Sequence, residues 1–329
     1  MKTAMKTLIV LVLVTVGLMA QTAQTPPQTP PGERGQRGQR GQRGEGAPAV
    51  PRKLAWVDRA GQVVGTIGEQ FASILDPSIS PDGNKVAFRG RQNQGEPDSL
   101  WIFEGATKRR LTTNTGNERH MIWSPRGDRI AYSRQETGQG NVSNLYIRNA
   151  DGSGTDYPLV VSEGLHKWYP TWSADARFVV FHVANPTTNA RDLWFVNVAD
   201  KMTGVLVDTP SIEALPRMSP DGRYVAYQSD ESGKTEIWVT TFPKSASKWK
   251  ISNNGGTWAK WGRNEVFYWE GNTLMNVKVN PGSTFSVQAP AKLFAGATAG
   301  MGTGDMTSYN PEYDVTADGA KIIVVQRVQ

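Results

Sequence analysis

Apolar and polar residues alternate in short runs along the chain, and each run follows a turn sequence. At residues 219–227 the turn Ser-Pro-Asp-Gly leads into Arg-Tyr-Val-Ala-Tyr. Proline fixes φ, glycine supplies a positive φ and aspartate hydrogen-bonds its own backbone, so a tight turn is well specified. Alternation with a period of two then predicts a half-buried β-strand. The unit recurs, and we call its first residue the anchor: Ser80, Ser124, Ser173, Ser219, Gly262 and Thr316.

The spacing of the anchors predicts the architecture. The first four are separated by 44, 49 and 46 residues, and only strand signals lie between them. A strand-rich period of about 45 residues is typical of one four-stranded propeller blade per repeat. An apolar residue followed by a large one marks the predicted third strand of each blade: Leu100-Trp101, Leu145-Tyr146, Leu193-Trp194, Ile237-Trp238 and Leu274-Met275.

The two ends of the repeat region complement each other. After Thr316 the chain has room for only two strands, whereas Ala55-Trp56 and residues 63–66 supply the missing marker and a further strand. Closing the ring would remove open strand edges, which otherwise favour aggregation. The sequence therefore predicts an all-β fold, a six-bladed β-propeller over residues 54–329 in which N-terminal strands complete the last blade.

The N-terminal segment differs from the repeats in composition. Lys2 and Lys6 precede an apolar run at residues 8–20, which predicts a signal peptide over residues 1–23. Residues 24–53 are rich in proline, glycine and arginine, which favours a disordered tether over a collagen-like segment or a specific nucleic-acid site. We therefore expect a periplasmic or secreted protein with no membrane span after signal cleavage.

Charge and cysteine content narrow the possible functions. The net charge of +6 lies entirely in the N-terminal segment, because residues 54–329 hold 28 basic and 28 acidic residues. A basic pI is therefore no argument for an acidic partner of the folded domain. The chain contains no cysteine, which excludes disulfides, thiolate metal sites and a cysteine nucleophile.

The anchor repeat resembles a known family. Its pattern, (S/T)-P-D-G-x-x-(V/I)-A-(F/Y), is similar to the PD40 repeat of TolB-like (WD40-like) β-propellers, over residues 54–329. With Ala-Trp-Val-Asp-Arg at 55–59 and Asp-Glu-Ser-Gly at 230–233, the chain also resembles the extracytoplasmic propeller sensor domains of bacterial serine/threonine kinases. The resemblance implies a non-enzymatic binding or scaffold module. We expect a monomer without a cofactor that recognises an envelope protein, a peptide or a small polar ligand.

The candidate ligand-binding residues lie in the segments that enter the first strand of each blade. In propellers of this kind these segments converge at a central funnel, and mixed charge with aromatics is typical of ligand pockets. Ordinary solvated loops would have a similar composition. The cations Arg119, Arg217 and Lys260 suit an anionic group on the ligand. The full set is Glu118, Arg119, His120, His166, Lys167, Trp168, Tyr169, Glu213, Arg217, Trp258, Lys260, Tyr309 and Tyr313.

The histidines allow an alternative function. A propeller enzyme, such as a lactonase-like hydrolase or a lyase, would use His120 or His166 with a divalent metal. The spacing marks no third ligand, and no G-x-S-x-G motif is present. The third histidine, His182, is predicted to be a hydrogen-bonded strand residue. Four aspartates are predicted to cap their turns rather than to bind calcium: Asp82, Asp175, Asp221 and Asp318.

Overall fold

A computed structural model describes residues 50–113, 117–136, 142–282, 284–301 and 312–328. The predicted signal peptide, the predicted tether up to residue 49, and Tyr309 lie outside these ranges. Within them, strands form almost all of the regular structure, together with one short 3-10 helix. No helix in this part of the chain is long and apolar enough to cross a membrane.

Antiparallel pairing groups the described strands into six sheets. The chain enters with β1 (Arg52–Val57) and β2 (Val63–Phe71), which belong to blade 6. Blade 1 contains β3 (Ser73–Ile79), β4 (Lys85–Arg91), β5 (Ser99–Glu104) and β6 (Thr107–Arg110). Blade 2 contains β7 (Asn117–Trp123), β8 (Arg129–Gln135), β9 (Ser143–Asn149) and β10 (Tyr157–Val160). Blade 3 contains β11 (His166–Trp172), β12 (Phe178–Ala184), β13 (Arg191–Asn197) and β14 (Thr203–Val207).

The remaining blades follow the same plan with one elaboration. Blade 4 contains β15 (Glu213–Met218), β16 (Tyr224–Ser229), β17 (Glu236–Thr241) and β18 (Lys248–Lys250). Blade 5 contains β19 (Thr257–Gly262), β20 (Glu265–Glu270) and β21 (Thr273–Asn280), and both β22 (Ser286–Val287) and β23 (Ala291–Ala295) pair with β21. The 3-10 helix Gly296–Ala299 precedes β24 (Tyr313–Val315) and β25 (Ile322–Arg327), which complete blade 6. The predicted all-β, six-bladed propeller is confirmed.

Ring closure joins the two ends of the repeat region, as predicted. Strand β1 pairs antiparallel with β25 in unbroken register, which places Trp56 opposite Ile323. The Arg52 guanidinium also bonds the Glu312 carboxylate at 2.9 Å, across 260 residues of sequence. Blade 6 is therefore held together by N-terminal and C-terminal strands, and the ring has no free edge at this junction.

The third-strand markers and the anchors have the roles that their patterns predict. The apolar residue of each marker lies in the third strand of its blade and is completely buried: Leu100, Leu145, Leu193, Ile237 and Leu274. In the fourth anchor turn, Ser219 Oγ donates to Asp221 at 2.6 Å, and Asp221 accepts the Arg223 N–H at 3.1 Å. Gly222 has φ +72°, which glycine adopts without strain. Turn capping by Asp221 is therefore confirmed, and the same anchor-to-aspartate bond occurs at Asp82, Asp175 and Asp318.

The first strands of blades 1 to 5 contain a β-bulge that the sequence pattern does not announce. In each, the register with the second strand shifts a few residues before the anchor. The residue four positions before the anchor has a left-handed backbone, with φ between 52° and 59°: Asp76, His120, Tyr169, Leu215 and Trp258. Left-handed non-glycine residues cost about 1–3 kcal/mol each and cluster at functional sites, and bulges redirect side chains. The bulges therefore indicate that the channel between the first strands is a candidate functional site.

Candidate functional site in the central channel

The predicted site residues that the structure describes lie on inner strands rather than on entering loops. His120 is in the middle of β7, His166 begins β11, and Trp258 and Lys260 lie within β19. The sequence placed the start of each strand too late because the bulge interrupts the alternation with period two. Several of the expected surface groups are consequently buried, and Tyr169, Trp258 and Lys260 are each no more than 4% exposed.

Two of the predicted residues, Lys167 and Glu213, bond the segment that enters their own blade, whereas Glu118 is buried without a hydrogen-bond partner among the described residues. Lys167 Nζ donates to Asn144 Oδ1 at 3.0 Å, and Thr209 Oγ1 donates to Glu213 at 2.6 Å. Burial lowers the pKa of Lys167 to about 8, and it raises the pKa of both Glu118 and Glu213 to about 7. Lys167 and Glu213 hold their entry segments in place, and none of the three residues lines the cavity described below.

All three histidines of the chain meet around two adjacent aromatic residues of β11. The His120 and Tyr169 rings stack with centroids 3.7 Å apart, and His182 lies on Tyr169 at 5.5 Å. The His166 and Trp168 rings stack at 4.5 Å. The sequence did not indicate that His182 belongs with the other two, because its apolar neighbours suggest only a buried strand.

The histidine rings are neutral and already hydrogen-bonded at one nitrogen. The Nδ1 atom of His182 accepts the Leu215 N–H at 3.2 Å, and that of His166 accepts the Ser143 N–H at 3.1 Å. Because Nδ1 accepts, the proton of each neutral ring is on Nε2. Burial, more than nearby cations, holds the pKa of His120 and His182 well below the usual range. The prediction that His182 is a hydrogen-bonded strand residue is thus confirmed for its Nδ1 atom.

Charged side chains from four blades meet in the channel. Lys260 Nζ pairs with Asp314 Oδ1 at 2.9 Å, and Arg89 Nε lies 3.7 Å from Asp76 Oδ2. Burial lowers the pKa of Lys260 to about 8. Burial also raises the pKa of Asp76, against the opposing charges of Arg89, Lys260 and Arg217. Arg217 and Lys260 were predicted site residues, whereas sequence reasoning missed Asp76, Arg89 and Asp314.

A cavity of about 240 Å³ opens at the end of the channel where the anchor turns meet. Arg217, Lys260 and Asp314 line it, each two residues before its anchor. The rest of the wall is largely apolar: Ile79, Ile122, Trp123, Trp172, Met218, Trp261, Val315 and anchor-turn prolines. His166 starts its inner strand at the opposite end. The predicted site is therefore divided, with Arg217 and Lys260 at this cavity and His166 and Trp168 towards the other mouth.

Two hydrogen bonds between blades, which we call staples, hold the wall of this cavity together. Asp314 Oδ2 accepts the Ile79 N–H at 2.8 Å, and Thr171 Oγ1 accepts the Met218 N–H at 3.1 Å. The Arg217 side chain takes part in no such staple, and it makes no hydrogen bond or ion pair with any described residue. No cluster of three or more histidine, aspartate or glutamate side chains with metal-binding geometry occurs within the described ranges.

Solved structures share this architecture. The putative TolB of Agrobacterium tumefaciens superposes with a TM-score of 0.61, covering 85% of this chain and 99% of that one at 15% identity. TolB of Acinetobacter baumannii gives a TM-score of 0.52, covering 74% of this chain and 67% of that one at 14% identity. The fold is that of the TolB-like β-propellers. An oligogalacturonate lyase of Vibrio parahaemolyticus shares the TolB-like fold, with a TM-score of 0.52, 14% identity and coverage of 83% and 78%. At these identities the likeness shows the fold alone.

Curated relatives match parts of the TolB-like propeller. The uncharacterized peptidase YuxL of Bacillus subtilis is 30% identical over 124 residues, 35% of this chain and 18% of that protein. An uncharacterized protein of Agrobacterium fabrum is 28% identical over 167 residues, 49% of this chain and 54% of that protein. The Tol-Pal system protein TolB of Alcanivorax borkumensis is 33% identical over 92 residues, 27% and 21% of the two chains. The chain thus spans about half or less of these relatives' length. No protein-family model matches it.

Proposed function

We propose that this TolB-like propeller is an exported, non-enzymatic binding or scaffold module that recognises a protein, a peptide or a small polar ligand through its central channel. The observation that carries the proposal is the cavity at the anchor-turn mouth, where the Arg217 guanidinium has no hydrogen-bond or ion-pair partner among the described residues and the wall is largely apolar. Ligand sites are typically apolar clefts with a few well-placed polar groups. The predicted signal peptide and the similarity to Tol-Pal system proteins support a location in the periplasm or outside the cell.

The histidines support an enzymatic function less well. Their meeting around Tyr169 brings together groups that perform acid–base chemistry, and a lyase shares the fold. The described residues do not fit a metal centre, however, because no three suitable ligands lie together. His166 and His182 also use Nδ1 in backbone hydrogen bonds, and the rings are separated by aromatic stacking. These contacts favour a structural part for the histidines in the channel wall.

A capture experiment tests the proposal. The tagged full chain is expressed in bacteria, its distribution between cytoplasm and envelope is measured, and bound molecules are recovered from envelope extract. We expect an envelope location and a ligand that the Arg217→Gln variant no longer retains. Arg263→Gln is the matched control, because Arg263 is exposed in the anchor turn of the next blade. Equal capture by the wild type and Arg217→Gln would contradict a channel site and would direct attention to the outer blade edges or the tether.

A further inference from the structure

Several polar side chains around the middle of the channel wall are buried without a hydrogen-bond partner among the residues that the structure describes. The donors include the Tyr169 hydroxyl and Arg119 Nε on inner strands and His182 Nε2 on the adjoining strand β12, and the Asp76 carboxylate oxygens on β3 are unpaired acceptors. Tyr169 is 2% exposed and His182 is completely buried. Native proteins pair nearly all such groups with protein, water or ligand. Unpaired donors at one place therefore indicate that a polar ligand group belongs between them.

The unpaired donors are close to one another and to the cavity. The Tyr169 and His182 rings lie 5.5 Å apart and nearly parallel, with an interplanar angle of 26°. Arg217 lines the cavity and is close enough to Tyr169 to lower its pKa, although burial and Asp76, which raise that pKa, prevail. The strand of Arg217 also contacts the strands of both donors, because the Leu215 N–H bonds His182 Nδ1 at 3.2 Å and the Met218 N–H bonds Thr171 Oγ1 at 3.1 Å. Arg217 therefore lies between the cavity at the mouth and the donors deeper in the channel.

The acidic groups of this region already have cationic neighbours. Asp314 pairs with Lys260 at 2.9 Å and also accepts the Ile79 N–H. Asp76 has the Arg89 guanidinium beside it at 3.7 Å. Both carboxylates therefore already lie beside a cation, although the Asp76 oxygens accept no hydrogen bond from a described residue.

Two guanidinium groups of this region are not paired with a carboxylate. The side chains of Arg119 and Arg217 make no hydrogen bond or ion pair with any residue in the described ranges. Burial lowers the pKa of His120 most, and both guanidinium groups lower it further. Their combined charge lies beside hydroxyl and imidazole N–H donors. His182 supplies a donor because its Nδ1 is an acceptor, which leaves the proton on Nε2.

We propose that the channel binds an oxyanion of the ligand, a carboxylate or a phosphate, between the Arg217 guanidinium, the Tyr169 hydroxyl and His182 Nε2–H. This inference rests on the proposed function, whose ligand it assigns to a chemical class. Guanidinium groups bind carboxylate and phosphate oxygens with two parallel hydrogen bonds, and such charge-assisted bonds are strong where water is excluded. The anion reaches the site through the cavity that Arg217 lines. Arg119 adds positive charge nearby.

Calorimetric titration with citrate and with inorganic phosphate tests the site on the full chain. We expect the wild type to bind at least one of these anions, and the stronger of the two identifies the carboxylate or phosphate source. Arg217→Gln should weaken binding about tenfold or more, as expected for loss of a charge-assisted hydrogen bond. Tyr169→Phe keeps the stacked ring and should weaken binding several-fold. The exposed Arg263→Gln should bind like the wild type.

The results separate this inference from the proposed function. Failure of the folded wild type to bind either anion, or equal binding by Arg217→Gln and the wild type, would overturn the oxyanion site. If envelope capture still depended on Arg217, the proposed function would survive that failure. Conversely, anion binding that Arg217→Gln abolishes, together with unchanged capture, would support the oxyanion site and overturn the channel as the docking site. Unchanged thermal unfolding of the variants shows that folding is not the cause.

Discussion

The anchor turns and the channel wall satisfy their polar groups in different ways. In the fourth turn, Ser219 and Asp221 bond each other and the backbone within a few residues. In the channel, Lys260 of blade 5 pairs with Asp314 of blade 6, and Arg217 of blade 4 has no ion-pair partner among the described residues. The turns are therefore complete once the local chain folds. The channel is assembled from distant repeats and retains the capacity to bind a ligand.

The carboxyl groups of the two regions also differ in the direction of their pKa shifts. The Ser80 hydroxyl holds the pKa of Asp82 below its usual range, whereas burial raises the pKa of Glu118 and Glu213 to about 7. A lowered pKa contributes stability that is lost as the pH falls through the folded pKa. A raised carboxyl pKa has the opposite consequence, because the folded state holds a proton that the unfolded state releases. Lowering the pH should therefore destabilise the turns and stabilise the inner strands that carry Glu118 and Glu213.

The largest expected effect concerns the channel wall. Trp258 was predicted to lie in a segment that enters a first strand, but it is 4% exposed and packs in a core cluster with Leu215 and Trp269. Trp258→Ala should lower the free energy of unfolding by about 3–5 kcal/mol, because a large buried side chain is replaced by a cavity. Trp258→Phe should cost less. Urea unfolding measures both, and a loss below about 1 kcal/mol for the alanine variant would contradict a structural role for this part of the wall.

A smaller effect should appear in the pH dependence of stability. Glu213 has a pKa of about 7 in the folded protein and an ordinary value of 4.5 when unfolded. Between these values the folded state binds the extra proton, so stability should fall as the pH rises from 4.5 to 7 and then level off. Glutamine cannot ionise at this position. Between pH 5 and 8 the free energy of unfolding of Glu213→Gln should therefore change less than that of the wild type, by on the order of 1–3 kcal/mol. Parallel curves for the wild type and the variant would show that Glu213 is not held protonated.

The smallest effect should come from an anchor turn. Asp221→Ala removes the hydrogen bonds to Ser219 and Arg223 in a partly exposed turn, so it should cost about 1 kcal/mol of stability. Anion binding should not change, because Asp221 lies outside the channel cavity. Arg217→Gln should show the reverse, with weaker binding and unchanged stability. Thermal unfolding and citrate titration of the two variants provide the measurements, and a binding defect in Asp221→Ala would remove the distinction between turn and channel.

Sequence reasoning predicted the features that depend on local pattern. The turn residues around Ser219 and the marker at Leu193 each lie where the repeat requires them, and the place of the Trp56 strand in the last blade followed from counting strands. The channel could be predicted only in part, because its bulges break the alternation that identifies strands. One signal was available: Asp76 and Asp314 are lone acids between apolar residues, four residues before the anchor Ser80 and two residues before the anchor Thr316. Aligning the repeats on the anchor shows that Asp314 shares its position with Arg217 and Lys260.

The composite sixth blade has a consequence for the order of folding. Blades 1 to 5 each form from continuous chain, but the pairing of β1 with β25 joins segments about as far apart as Arg52 and Glu312, which are 260 residues apart. Contacts at such separation carry a large loop-closure entropy and form slowly. Before they form, β1, β2 and the inner strand of blade 1 have no completed sixth blade beside them. An emerging chain would therefore pass through an open-ring intermediate with unpaired edges, and its survival would depend on how quickly β24 and β25 arrive.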